Sequence, residues 1–269
     1  MFADLVNLLP FSIKTRMVGY LVLLLAVNAL AFGNLALFVR GLVMVAVYAF
    51  VDVSWTFLRD RRLYVPNSSF ISGLIIALVL APQASLWLVC AVLFTAVFSK
   101  QVLHFGFHRH VFNPAALSLV LASFVFRPAV SWWGVSGGGL VLWLVACAAL
   151  MFVTGQKRWH EVVPFFVSYL LVSLAFFAGS GASFSGLLSI LKNLVWDGTV
   201  LFFASVMLIE PMTSQFPKFW HRVVYAIVSA AGAVVFGHLD IGGLRVDSLL
   251  AGLLASNLAS SLLCLRKHA

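Results

Sequence analysis

His108–Phe124 reads HRHVFNPAALSLVLASF. Three basic or titratable residues run into a helix-start signal and then into an apolar run that is too short. Asn113 is a good N-cap, and Pro114 suits the first helical position, where its missing N–H costs nothing. From Asn113 the apolar run reaches Phe126, about 21 Å of helix at 1.5 Å per residue. The hydrocarbon core of a bilayer is about 30 Å thick, so this helix either starts inside a membrane or borrows its preceding loop. A helix N-terminus at membrane depth presents unpaired N–H groups and partial positive charge, which suits a phosphate or a quinone headgroup. An ordinary loop-to-helix junction at the membrane surface is the competing reading.

Outward from that stretch, the chain is apolar throughout: 63% of its 269 residues are hydrophobic and 9% are charged. Soluble domains carry roughly 25% charged residues. The apolar blocks are helix-length and lack the alternation of a barrel strand, so the expected fold is an all-α integral membrane protein. Asp4, Pro10, Lys14 and Arg16 precede the first span without a small-residue cleavage site, so no removable leader is expected. The net charge of +9 is explained by loops on one side of a membrane rather than by a nucleic-acid partner. Cys90, Cys147 and Cys264 lie in apolar segments without CxxC spacing, and are expected to be small buried residues.

Ten spans are expected: Met17–Val39, Gly41–Leu58, Phe70–Leu80, Leu86–Val102, Asn113–Phe126, Leu140–Val153, Val162–Gly179, Thr199–Ile209, Val223–Phe236 and Val246–Leu265. The break after the first falls somewhere in Gly33–Arg40. With that count, thirteen of the seventeen Lys and Arg residues sort to one side, and the positive-inside rule puts both termini in the cytoplasm. The third and eighth spans are half-length, and each meets a proline at Pro82 or Pro211. They sit at matching places in two five-span halves, residues 1–126 and 137–269, which an odd count makes inverted. Short, Pro-interrupted segments at matching places in inverted halves point to a site near the midplane. Asn257 opens NLASSLLCL, a faint echo of the stretch from Asn113.

Ionisable groups inside a membrane usually face a partner or a pathway. Asp52 lies in the second span and Glu210 closes the eighth; both are candidates for ion coupling. A salt bridge from Asp52 to Arg59 or its neighbours and a surface turn at Glu210 are the structural alternatives. His104 and His108 sit at a membrane edge, where neither a transmembrane haem nor a zinc site is completed. Ser131–Gly139, SWWGVSGGG, reads as a flexible connector anchored at the interface by Trp132 and Trp133. Its glycines also let the backbone approach a phosphate.

The motifs converge on a resemblance. Ser69–Pro82, SFISGLIIALVLAP, looks like the serine-rich start and short third helix of the RnfD/NqrB family of respiratory membrane subunits. Ser99–Ala116, SKQVLHFGFHRHVFNPAA, resembles its lysine-containing segment leading into FNPA, and Phe202–Ser214, FFASVMLIEPMTS, its short eighth helix. The resemblance implies a cell (inner) membrane subunit of an electron transport complex, a translocase coupling electron flow through a flavin to Na⁺ or H⁺ movement. Its implied partners are other membrane and redox subunits, the lipid bilayer and a quinone. Family members attach FMN to a threonine of an S-G-A-T motif. Here the matching residues are Ser136, Gly137, Gly138 and Gly139, and the threonine position is Gly139. Any FMN is therefore expected to be non-covalent, its phosphate near Gly137–Gly139 or near Asn113 and Pro114. A stand-alone transporter or channel with inverted repeats is the alternative function.

Overall fold

The computed structural model of the chain describes residues 12–61, 65–105, 109–126, 129–136, 139–179, 188, 197–214, 216, 218–239 and 246–265. The helices are α1 (Ile13–Ala31), α2 (Leu35–Asp60), α3 (Asn67–Val79), α4 (Leu86–Val102), α5 (Pro114–Val125), α6 (Leu140–Gln156), α7 (Trp159–Gly179), α8 (Gly198–Phe202), α9 (Pro211–Ser214), α10 (Phe219–His238) and α11 (Ser248–Leu265). A π-helical turn, Phe203–Met207, continues α8. Two-residue strands, β1 (His104–Phe105) and β2 (Arg109–His110), pair antiparallel between α4 and α5. Four helices, α1, α2, α7 and α10, are long and apolar enough to cross a membrane, and six shorter apolar helices accompany them among the described residues.

Local chemistry sets the boundaries. Ser12 Oγ accepts from Thr15 N–H and starts α1. Gly33, at φ +62°, ends the turn, and Asn34 Oδ1 accepts from Ala36 N–H to start α2. The break thus falls at the early edge of the expected range. Asn113 caps α5 as expected: its Oδ1 accepts from Ala116 N–H at 3.0 Å, and Pro114 takes the first helical position.

Burial sets two short segments apart. The long helices turn much of their surface outward; Phe50, Val163 and Leu171 are exposed. By contrast, every residue from Ser72 to Val79 in α3, and every residue from Phe202 to Ile209, is buried. In a hydrocarbon solvent the exposed apolar side chains need no cover, whereas irregular backbone does.

The end of α3 is covered in that way. Its last carbonyls have no intrahelical partner, and the segment after α5 folds back to supply one for each. Trp133 Nε1 donates to Ala77 O at 2.9 Å, Gly134 N–H to Leu78 O at 3.0 Å, and Ser131 N–H to Val79 O at 3.0 Å. Asn28 Nδ2 donates to Gly134 O at 2.8 Å, and Arg40 donates to the carbonyls of Pro82 and Ala84. Trp132 Nε1 donates to Asp247 Oδ2 at 2.6 Å, tying this segment to the start of α11.

Three expectations are corrected. Trp132 and Trp133 are buried, not interfacial anchors, and residues 131–134 are a built cap rather than a flexible connector, because α3 ends inside the protein and needs the donors. Cys90 and Cys147 are exposed, on helix faces turned away from the core, where a small apolar residue is tolerated; the Cys264 side chain lies outside the described residues. Asn257 starts no helix; it lies within α11 and its Oδ1 accepts from Tyr225 at 2.9 Å, so the echo of Asn113 is not structural.

Candidate functional site

The site assembles where α2 and α4 end and where α1, α3 and α5 begin. Asp52 lies two turns from the end of α2 and is fully buried. Ser68 and Ser69 stand in the first turn of α3, and Lys100 and Gln101 in the last turn of α4. Asp52 Oδ2 accepts from Ser69 Oγ at 2.5 Å and from Lys100 Nζ at 2.7 Å; Oδ1 accepts from Gln101 Nε2 at 2.6 Å. Lys100 Nζ also donates to the hydroxyls of Ser68 and Ser69, each at 3.0 Å. An ammonium has three donors, and all three are used. Lys100 is 10% exposed. The ion-pair alternative for Asp52 is thus realised with Lys100. Arg59 instead pairs with Asp60 at 2.9 Å.

Ser68 links this pair to a cavity of about 260 Å³ between the two halves of the chain. Its polar lining is Lys14, Ser68, Ser72, Asn113, Gln156 and Glu210; the remainder is apolar. Glu210 follows the π-helical turn. Its backbone carbonyl accepts from Thr213 and Ser214 N–H, and its side chain lines the cavity with Oε2 making no hydrogen bond among the described residues. It is therefore no surface turn residue. The π turn packs one extra residue into the last stretch of the eighth span, a feature frequent at functional sites.

Asp52, Glu210, Asn113 and Pro114 thus gather at one end of the protein. Ser136 and Gly139 do not join them: they lie beyond the opposite end of α5, while Gly137 and Gly138 fall outside the described residues. Ser136 is exposed. Gly139 has φ +58° and ψ −123°, a conformation open to glycine and closed to a β-branched residue. Lacking a hydroxyl and holding that backbone, Gly139 does not fit a phosphoester-linked flavin.

A second buried ionic cluster was not foreseen from the sequence. Glu161, fully buried at the start of α7, accepts from Arg158 at 2.8 Å, with Arg222 at 3.7 Å. Arg158 also donates to Ser214 O at 3.2 Å, which pins the α9 turn beside Glu210. The available signal was a lone acid near the end of an apolar block, with arginines in the neighbouring loops.

Residues 11–139 match the NQR2, RnfD, RnfE family. Over this span the chain is similar to that family. The match covers just under half the chain and includes Asp52, Ser68, Ser69, Lys100, Gln101 and Asn113. Four helices long and apolar enough to cross a membrane, with six shorter apolar ones among the described residues, accompany that similarity. No curated protein matches it.

Proposed function

We propose that this chain belongs to the NQR2/RnfD/RnfE family and is the ion-coupling membrane subunit of an electron transport complex, moving Na⁺ or H⁺ through the cavity between its halves. One observation carries the reading: the buried Asp52–Lys100 pair opens through Ser68 onto a cavity holding Glu210 and the start of α5. Charged groups inside a membrane are costly and characteristically mark ion pathways and proton relays. Here Glu210 and Lys14 line one internal space, the Asp52–Lys100 pair adjoins it through Ser68, and both short segments contribute to its walls. Ten spans in two inverted halves, with both termini and the Lys14 end in the cytoplasm, are part of this reading and rest on the loop charges.

Redox partners, a quinone acceptor and the cell (inner) membrane belong to the same reading. Any flavin is held non-covalently, since Gly139 offers no attachment. The chain's own residues then hold charge and move ions, while electron carriers sit on the partner subunits or on a dissociable cofactor. The test is purification in mild detergent, followed by identification of the bound chains and reconstitution. Co-purifying redox subunits and ion uptake that needs an electron donor are expected. A chain that purifies alone and carries an ion without any donor would instead make it a stand-alone transporter or channel.

A further inference from the structure

The groups that surround Asp52 bear on which ion is moved. A hard metal cation is held by several oxygen ligands. Around Asp52 the neighbours are donors instead: an ammonium at 2.7 Å, a serine hydroxyl at 2.5 Å and an amide N–H at 2.6 Å. The Lys100 ammonium occupies the place on Oδ2 that a free cation would take. Across the cavity, Lys14 and Lys100 both direct positive charge at Glu210. Thr213 and the Tyr225 hydroxyl are the other polar groups within electrostatic reach of Glu210, and that hydroxyl itself donates to Asn257 Oδ1. Asn113 Oδ1 accepts from Ala116 N–H, which occupies one of its two lone pairs. Two tethered cations and a largely apolar lining make a poor cage for a diffusible metal ion.

We infer that the ion moved at this site is a proton, and that Lys100 carries it between Asp52 and the cavity holding Glu210. The inference rests on the coupling function proposed above. In one step an Nζ–H bond of Lys100 breaks and its electron pair stays on nitrogen. The proton passes to Ser68 Oγ, which releases its own proton to a water in the cavity, and that water gives up one of its protons to form an O–H bond on Oε2 of Glu210. In the other step a protonated Asp52 returns a proton to the neutral amine across the 2.7 Å contact. Both are proton transfers and need no oxidant or reductant. Ser68 suits the relay because it accepts from Lys100 at 3.0 Å and lines the cavity.

Lys100→Arg separates this role from a structural one. Arginine keeps the positive charge and the pairing with Asp52, but is not deprotonated in proteins. The assay uses everted membrane vesicles holding the full chain with its partners, given NADH in one arm and reduced ferredoxin in another. Proton uptake is followed with a pH-sensitive dye and sodium uptake with ²²Na⁺. Wild type should take up protons in sodium-free medium. Lys100→Arg should assemble in normal amount yet lose proton uptake by on the order of a hundred-fold, the usual worth of a positioned proton carrier. Wild-type accumulation of ²²Na⁺, or full proton uptake by Lys100→Arg, overturns the inference and leaves the coupling function standing. Uptake of neither ion by wild type overturns the coupling function itself. Should the arginine variant fail to assemble, wild-type uptake in D₂O decides: a slower rate supports the relay, and an unchanged rate overturns it.

Discussion

Asp52 and Lys100 should be energetically coupled, and the structure sets the size of the effect. Asp52→Asn leaves a mostly buried ammonium opposite a neutral amide. Losing one partner of a buried pair costs about 3–5 kcal/mol. Lys100 keeps two serine hydroxyls and is 10% exposed, which points to the lower end, about 3 kcal/mol. Lys100→Met leaves a carboxylate that still accepts from Ser69 and Gln101, so its cost is smaller, about 1–3 kcal/mol. The double variant has no unpaired charge, and its new amide in place of the Asp52 carboxylate retains Ser69 and Gln101 as neighbours. Replacing both members of a buried pair is often near neutral, so the double variant should fall within about 1 kcal/mol of wild type. The implied coupling is about 3–6 kcal/mol, at or above the top of the range for contacting residues. In thermal unfolding of the detergent-solubilised protein, Asp52→Asn alone should lower Tm by about 6–12 °C, at about 2–4 °C per kcal/mol. The double variant should recover most of that loss. A double variant whose Tm loss equals the sum of the two singles would refute the pairing.

Three further outcomes follow from the same framework. Gly134→Ala puts a Cβ 2.3 Å from Leu78 Cδ2 and 3.0 Å from Leu78 Cα, so it should cost about 1–3 kcal/mol as an overpacked core site; unchanged thermal stability would contradict the cap on α3. Ser136→Cys, at an exposed position, should react with a membrane-impermeant maleimide from the side opposite Lys14→Cys; labelling of both from one side would break the topology. In a denaturing gel under ultraviolet light, the chain should show no fluorescent band after acid precipitation, and a surviving band would reveal a covalent flavin site.

How much was legible in the sequence depends on the kind of interaction. Helices were legible because apolar runs and caps are local: Leu86–Val102 was read with the observed bounds, and Asn113–Pro114 was read as the N-cap and first position it is. The two half-length segments were legible because prolines and polar residues bracket them. Asp52 and Glu210 stood out as lone acids against apolar surroundings, and Ser68 joins the Asp52–Lys100 pair to the cavity that Glu210 lines. The partners were not legible. Lys100 looks like a loop charge beside Arg109, and only the packing of α4 on α2 brings it to Asp52. Trp132 and Trp133 follow a membrane span, as anchoring aromatics do, and nothing local says that the end of α3 lacks donors there. The Arg158–Glu161–Arg222 cluster draws on the starts of two different helices, α7 and α10, a contact that no local pattern encodes.

The central claim is that Asp52 and Glu210 serve ion movement through one cavity, and neutralising each in turn tests it most directly. Asp52→Asn and Glu210→Gln should assemble with their partners while donor-driven ion uptake in vesicles falls by on the order of a hundred-fold or more, as for removal of a positioned acid or base. Uptake at the wild-type rate by both variants, at equal protein content, would contradict the account.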